Sequence, residues 1–102
     1  MRRAIVRYRV KPDQAEPNAE LVRAVYEELR RADPPGMRYA TFQLDDGVSF
    51  VHVAAHDAED GRNPLSEVQA FKRFQENIDD RCEERPVASS GREIGSYRFV
   101  GE

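Results

Sequence analysis

The chain has 102 residues, a mass of 11.7 kDa, a formal charge of −3 at pH 7 and 39% apolar side chains. This suits one domain, residues 1–102, with a thin core. No run approaches the ~20 apolar residues of a membrane span, one cysteine excludes a disulfide scaffold, and a pI near 5.4 argues against nucleic acid as the main partner.

Residues 3–11 alternate. Ala4, Val6, Tyr8 and Val10 face one way, Ile5, Arg7, Arg9 and Lys11 the other, and Pro12 ends the strand. Met1-Arg2-Arg3 runs straight into it with no apolar leader, and the lone thiol fits a reducing compartment, so a cytoplasmic protein is expected. Residues 18–32 form a helix whose stripe is Leu21, Val25 and Leu29, widened by Val22 and Tyr26, with Asn18 as its cap and Pro34-Pro35-Gly36 as its stop. Residues 37–44 and 48–57 are strands joined by Asp45-Asp46-Gly47, a hairpin signal. Residues 64–83 form a second helix, capped by Asn63 and opened by Pro64, with Leu65, Val68, Phe71, Phe74, Ile78 and Cys82 on one stripe. Residues 86–91 are a loop, and 92–100 a final strand with Tyr97 and Phe99 on one face.

The order β-α-β-β-α-β is the ferredoxin-like α+β pattern: an antiparallel sheet with both helices on one face. The more apolar faces are expected under the helices: Ala4, Val6, Tyr8 and Val10; Ala40, Phe42 and Leu44; Val51, Val53 and Ala55; Tyr97 and Phe99. The opposite face then carries Ile5, Arg7 and Arg9; Met37, Tyr39, Thr41 and Gln43; Val48, Phe50, His52, Ala54 and His56; Ile94, Ser96, Arg98 and Val100. That face is too apolar to stay wet and too polar for a dry core, so it should pack partly on a second sheet and partly line a cavity. A monomer of this size buries roughly 65% of its unfolded surface, which also favours a homodimer.

The opening Ile5-Val6-Arg7-Tyr8-Arg9-Val10-Lys11-Pro12, the segment Phe50-Val51-His52-Val53-Ala54-Ala55-His56-Asp57 and the helix bearing Phe71-Lys72-Arg73-Phe74 resemble the first strand, third strand and second helix of the dimeric α/β-barrel superfamily, near the antibiotic biosynthesis monooxygenase-like proteins. The resemblance implies a sheet-to-sheet homodimer with a pocket in each protomer. Some members oxidise phenols or quinols with oxygen and no cofactor; others degrade haem. Many carry a tryptophan near the end of the third strand, where this chain has His56 and no tryptophan at all. Haem-degrading members use a histidine on the second helix and an asparagine on the first strand. Here that helix has no histidine and the strand has Arg7 and Arg9, so haem is disfavoured.

His52 and His56 lie on one strand face, ~13 Å apart, too far to share a metal, and no metal or other cofactor is expected. His52 is a candidate general base, or else a hydrogen-bonded interface histidine. Arg7 and Arg98 would clamp a phenolate or carboxylate, or form ion pairs with Asp45, Asp46 or Glu102 across subunits. The two arginines would hold His52 neutral. Tyr39, Thr41 and Gln43 would orient a small aromatic ligand between walls from Phe50 and Met37, with His56 nearby, or are ordinary strand residues. Cys82 reads as core, and Asp57, Glu59 and Asp60 as a solvated loop rather than a calcium site.

Two functions follow. One is a cofactor-independent, monooxygenase-like oxidoreductase for a small aromatic or quinol-type substrate, with His52 taking a proton and Arg7 stabilising the anion. The other is a non-enzymatic dimer that binds a small ligand or serves as an accessory protein.

Overall fold

The computed structural model describes residues 2–56 and 63–99, and the side chain of Arg2 is not among what it describes. The Asp57/Glu59/Asp60 loop, the outward Val100 and an ion pair to Glu102 therefore lie outside the described residues. Strand β1 spans Arg2–Val10, helix α1 Ala15–Ala32, β2 Met37–Gln43, β3 Ser49–His56, α2 Gln69–Gln75, α3 Ile78–Arg81 and β4 Cys82–Gly91. The sheet order is β2-β3-β1-β4, with every pair antiparallel. This is the ferredoxin-like α+β fold, with the helices on one face.

Helix α1 starts earlier than its sequence suggests. A 3-10 turn at Pro12–Gln14 leads into it, so Asn18 lies inside the helix and is fully buried instead of capping it. The hairpin forms at the expected place. The Asp46 carboxylate accepts from Val48 N, Ser49 N and Ser49 Oγ at 2.9, 2.8 and 2.5 Å, and Gly47 takes the positive φ of 78° that the turn requires.

The long second helix is instead three pieces. Asn63 caps a 3-10 turn, Pro64–Glu67, by accepting from Leu65 N. Helix α2 follows, the chain turns extended at Glu76, and Asn77 adopts the left-handed region at φ 58° before α3. Asparagine tolerates that conformation better than most residues, which is why the break falls there. The stripe still points inward, since Leu65, Val68, Phe74 and Cys82 are all buried.

The fourth strand is displaced. Cys82–Gly91 pairs with β1, and residues 92–99 contain no strand. The register skips between Arg7↔Val87 and Arg9↔Glu84, a bulge that holds Pro86 on an edge strand where its missing N–H is harmless. Arg9 meets Glu83 at 3.8 Å and Glu84 at 3.1 Å, so Glu83, expected as the last residue of the second helix, and Glu84 beyond it are both strand residues paired to their neighbour.

The parity of two strands is the main correction. Register pairs Tyr8 with Phe50, Val6 with His52, and His52 with Thr41. The face with Tyr8 and Val10 therefore also carries Phe50, His52, Tyr39 and Thr41, and it is this face that the helices cover. Val51, Val53, Ala40 and Phe42 lie on the other side with Arg7. A one-residue error of alignment exchanges every side chain of a strand between faces.

Candidate functional site

Beneath the helices the core is aromatic. Tyr8 stacks on Phe50 at 5.5 Å between ring centroids, Phe74 lies 5.3 Å from the His52 ring, and Tyr39 stacks on Tyr26 of α1 at 5.2 Å. Between β1, β3 and the segment from Asn63 to Asp79 lies a cavity of about 440 Å³, lined by Tyr8, His52, Tyr39, Leu65, Phe71, Phe74 and others. Its mostly apolar wall with a few converging polar groups is what a small aromatic ligand needs.

His52 is held at both ring nitrogens. Its Nε2 lies 2.8 Å from the Tyr8 hydroxyl, and its Nδ1 lies 2.6 Å from the Tyr39 hydroxyl and 3.1 Å from Thr41 Oγ1. Thr41 also meets the Tyr26 hydroxyl at 2.7 Å. Behind Tyr8, Asn18 Nδ2 donates to its hydroxyl at 2.9 Å and Arg81 Nε donates to Asn18 Oδ1 at 3.3 Å. Arg81 is anchored by donating to the carbonyls of Phe74 and Glu76 at 2.6 and 2.8 Å.

Burial sets the electrostatics. His52 is 5% exposed, and desolvation of its charged form lowers its pKa from 6.5 to about 4. The expected cause, two nearby arginines, is not the one at work. Burial raises Tyr8 and Tyr39 well above the ordinary phenol range and Tyr26 to about 12. At neutral pH the cluster is an uncharged histidine among protonated phenols.

Of the sequence-derived site residues, the structure brings His52, Tyr39 and Thr41 together and leaves the others outside that hydrogen-bonded cluster. Arg7 is exposed on the opposite face, opposite Val51 and Val87 in register. Arg98 lies past β4 in a left-handed conformation with its guanidinium 5.1 Å from the Tyr97 ring. Phe50 is core beneath Tyr8. Gln43 is exposed and donates to the Gly47 carbonyl at 2.8 Å, which ties it to the hairpin. Met37 is partly buried against the core, and His56 sits opposite it at the far end of β3, with Nδ1 buried. Tyr8, Asn18 and Arg81 were not anticipated as site residues. The available signal was polarity on an apolar stripe: Asn18 is spaced i, i+4, i+7 with Val22 and Val25, and Tyr8 sits between Val6 and Val10. Among the described residues no three His, Cys, Asp or Glu side chains come together as a metal set, and no helix is long and apolar enough to cross a membrane.

The architecture is that of the antibiotic biosynthesis monooxygenase-like proteins. A candidate antibiotic biosynthesis monooxygenase from Nitrosomonas europaea superposes with a TM-score of 0.75 at 22% identity, covering 93% of this chain and 100% of that one. A second structure, described as an antibiotic biosynthesis monooxygenase, gives 0.74 at 16% identity, over 93% and 100% of the two chains. A third, a candidate of the same kind from Caulobacter crescentus CB15, gives 0.73 at 12% identity, over 92% and 90%. At these identities the likeness is one of fold. No protein-family model matches the sequence, and no curated protein aligns with it significantly.

Proposed function

We propose that the protein is a monooxygenase-like oxidoreductase that oxidises a small phenolic or quinol-type aromatic with molecular oxygen, using no cofactor. The observation that carries this reading is a neutral histidine, clasped by two tyrosine hydroxyls, in the wall of an aromatic cavity of ligand size. The naming of the structural neighbours as monooxygenases supports it. The phenol gives its proton to Tyr8 as Tyr8 passes its own to His52 Nε2. The electron-rich phenolate then reduces oxygen directly. The balance for a naphthol is C10H8O + O2 giving C10H6O2 + H2O: one oxygen atom enters the ring, the other leaves as water, and the substrate supplies all the electrons.

The proton transfer limits which substrates suit the site. A buried histidine whose pKa is lowered to about 4 is a weak base toward an ordinary phenol, so the transfer is uphill. More acidic phenols should react faster, by up to tenfold per pKa unit.

The reading includes a homodimer in which a second copy covers the outer sheet face, where Ile5, Phe42 and Val87 are 41%, 41% and 66% exposed. The test is turnover of 1-naphthol under 18O-labelled oxygen. The expected product is 1,4-naphthoquinone carrying one labelled oxygen, with the rate lost in His52→Gln while 1-naphthol still binds. Binding without turnover across a series of naphthols of graded acidity would favour the ligand-binding alternative.

A further inference from the structure

The orientation of the hydrogen-bonded row that ends on His52 can be read from its far end. Arg81 can only donate, since a guanidinium has no acceptor. Its Nε–H reaches Asn18 Oδ1, which turns the Asn18 amide so that Nδ2, a donor, faces Tyr8. The Tyr8 hydroxyl therefore accepts from Asn18 and has its own proton to give. The acceptor that the described residues offer it is His52 Nε2, 2.8 Å away. A neutral imidazole that accepts at Nε2 carries its proton at Nδ1. There Tyr39 Oη and Thr41 Oγ1 lie 2.6 and 3.1 Å away as acceptors. Every element of the row is buried: Asn18 is 0%, Tyr8 2%, His52 5% and Arg81 9% exposed, so water does not compete for these bonds.

We propose that Arg81 and Asn18 are positioning residues that lock His52 in the Nδ1–H tautomer, holding Nε2 as the proton acceptor behind Tyr8. Free histidine in water prefers the opposite form, with the proton on Nε2, so the lock reverses the default. The inference deepens the proposed reaction by saying which residues keep Nε2 free to take the proton. It does not depend on turnover, because the tautomer exists in the resting protein.

The test is two-bond 1H–15N correlation NMR of the imidazole ring at pH 7, with His52 assigned by its loss in His52→Gln. In the wild-type protein Nδ1 should show the protonated-nitrogen shift and Nε2 the unprotonated one. The variant Asn18→Asp keeps the pair with Arg81 but turns the donor facing Tyr8 into an acceptor. Tyr8 should then donate to Asp and offer a lone pair to Nε2, so that the two shifts exchange. Arg81→Lys, which still only donates, should retain the wild-type pattern and serves where Asn18→Asp does not fold. Protonated Nε2 in the wild type overturns the proposal, as does an unchanged pattern in folded Asn18→Asp.

Discussion

His52 is buried among neutral groups, and that has a consequence for stability. Its pKa is about 4 in the folded protein against 6.5 in an unfolded chain. Between those values the unfolded chain binds more protons, so stability is full above pH 6.5 and falls as the pH drops toward 4. The 2.5-unit difference amounts to roughly 3 kcal/mol. Urea unfolding of wild type and His52→Gln from pH 7 to pH 4 should show a loss in the wild type that is smaller in the variant by about that amount. Tyr8→Phe should be destabilising at every pH, because it strands Asn18 Nδ2 and His52 Nε2 in the core at roughly 1–3 kcal/mol each; the same urea titration at pH 7 measures it. Sequence alone singled out His52 and Tyr39 but joined them to Arg7. It could not do better because both faces of β3 are apolar: Phe50, His52 and Ala54 alternate with Val51, Val53 and Ala55. The aliphatic set looked more core-like. The aromatic set is inside because its polar atoms satisfy one another, which no hydropathy pattern displays.

At the scale of elements, the helical layer is fastened at points that local patterns do not reveal. Helix α2 has no side-chain cap of its own, and Glu28 of α1 supplies one, accepting from Gln69 N at 3.0 Å and Ala70 N at 2.9 Å. Those bonds hold the Glu28 carboxyl below its usual pKa. Glu28→Ala should leave the Gln69 and Ala70 amides unprotected, so their hydrogen exchange should quicken while β1 and β3 amides keep their rates. Asn77 leads into α3 with a left-handed backbone at φ 58°, and Asn77→Ala should cost about 1 kcal/mol in urea unfolding, since a Cβ without a polar side chain meets the αL penalty in full. The order of elements, the hairpin turn and the Asn63 cap were legible because each has a short-range signature. The position of β4 was not. Glu83-Glu84-Arg85-Pro86 carries no strand signal, and only the pairing of Glu84 with Arg9 and of Val87 with Arg7 makes the stretch a strand.

For the whole molecule, the corrected parity moves the two surfaces that matter. The cavity lies between sheet and helices, and in the proposed homodimer a second copy would cover the outer face, with Ile5, Phe42, Val51, Val53 and Val87. Phe42→Asp should therefore give a folded monomer by sedimentation, because a carboxylate at that exposed position is costly only when a partner covers it. Phe50→Asp should instead unfold the chain, since Phe50 is 2% exposed against Tyr8. The fold class was readable from the pattern of elements, whereas the choice of face depends on register, which is a property of the assembled sheet. The proposed functional pocket is the His52 cavity under the helices. Titrating 1-naphthol into 15N-labelled protein and following the amide spectrum tests it most directly. Shifts should cluster at Tyr8, Tyr39, His52, Leu65, Phe71 and Phe74. Shifts confined to Arg7, Phe42, Val51 and Val87 on the outer face, or none at all at saturating ligand, would contradict it.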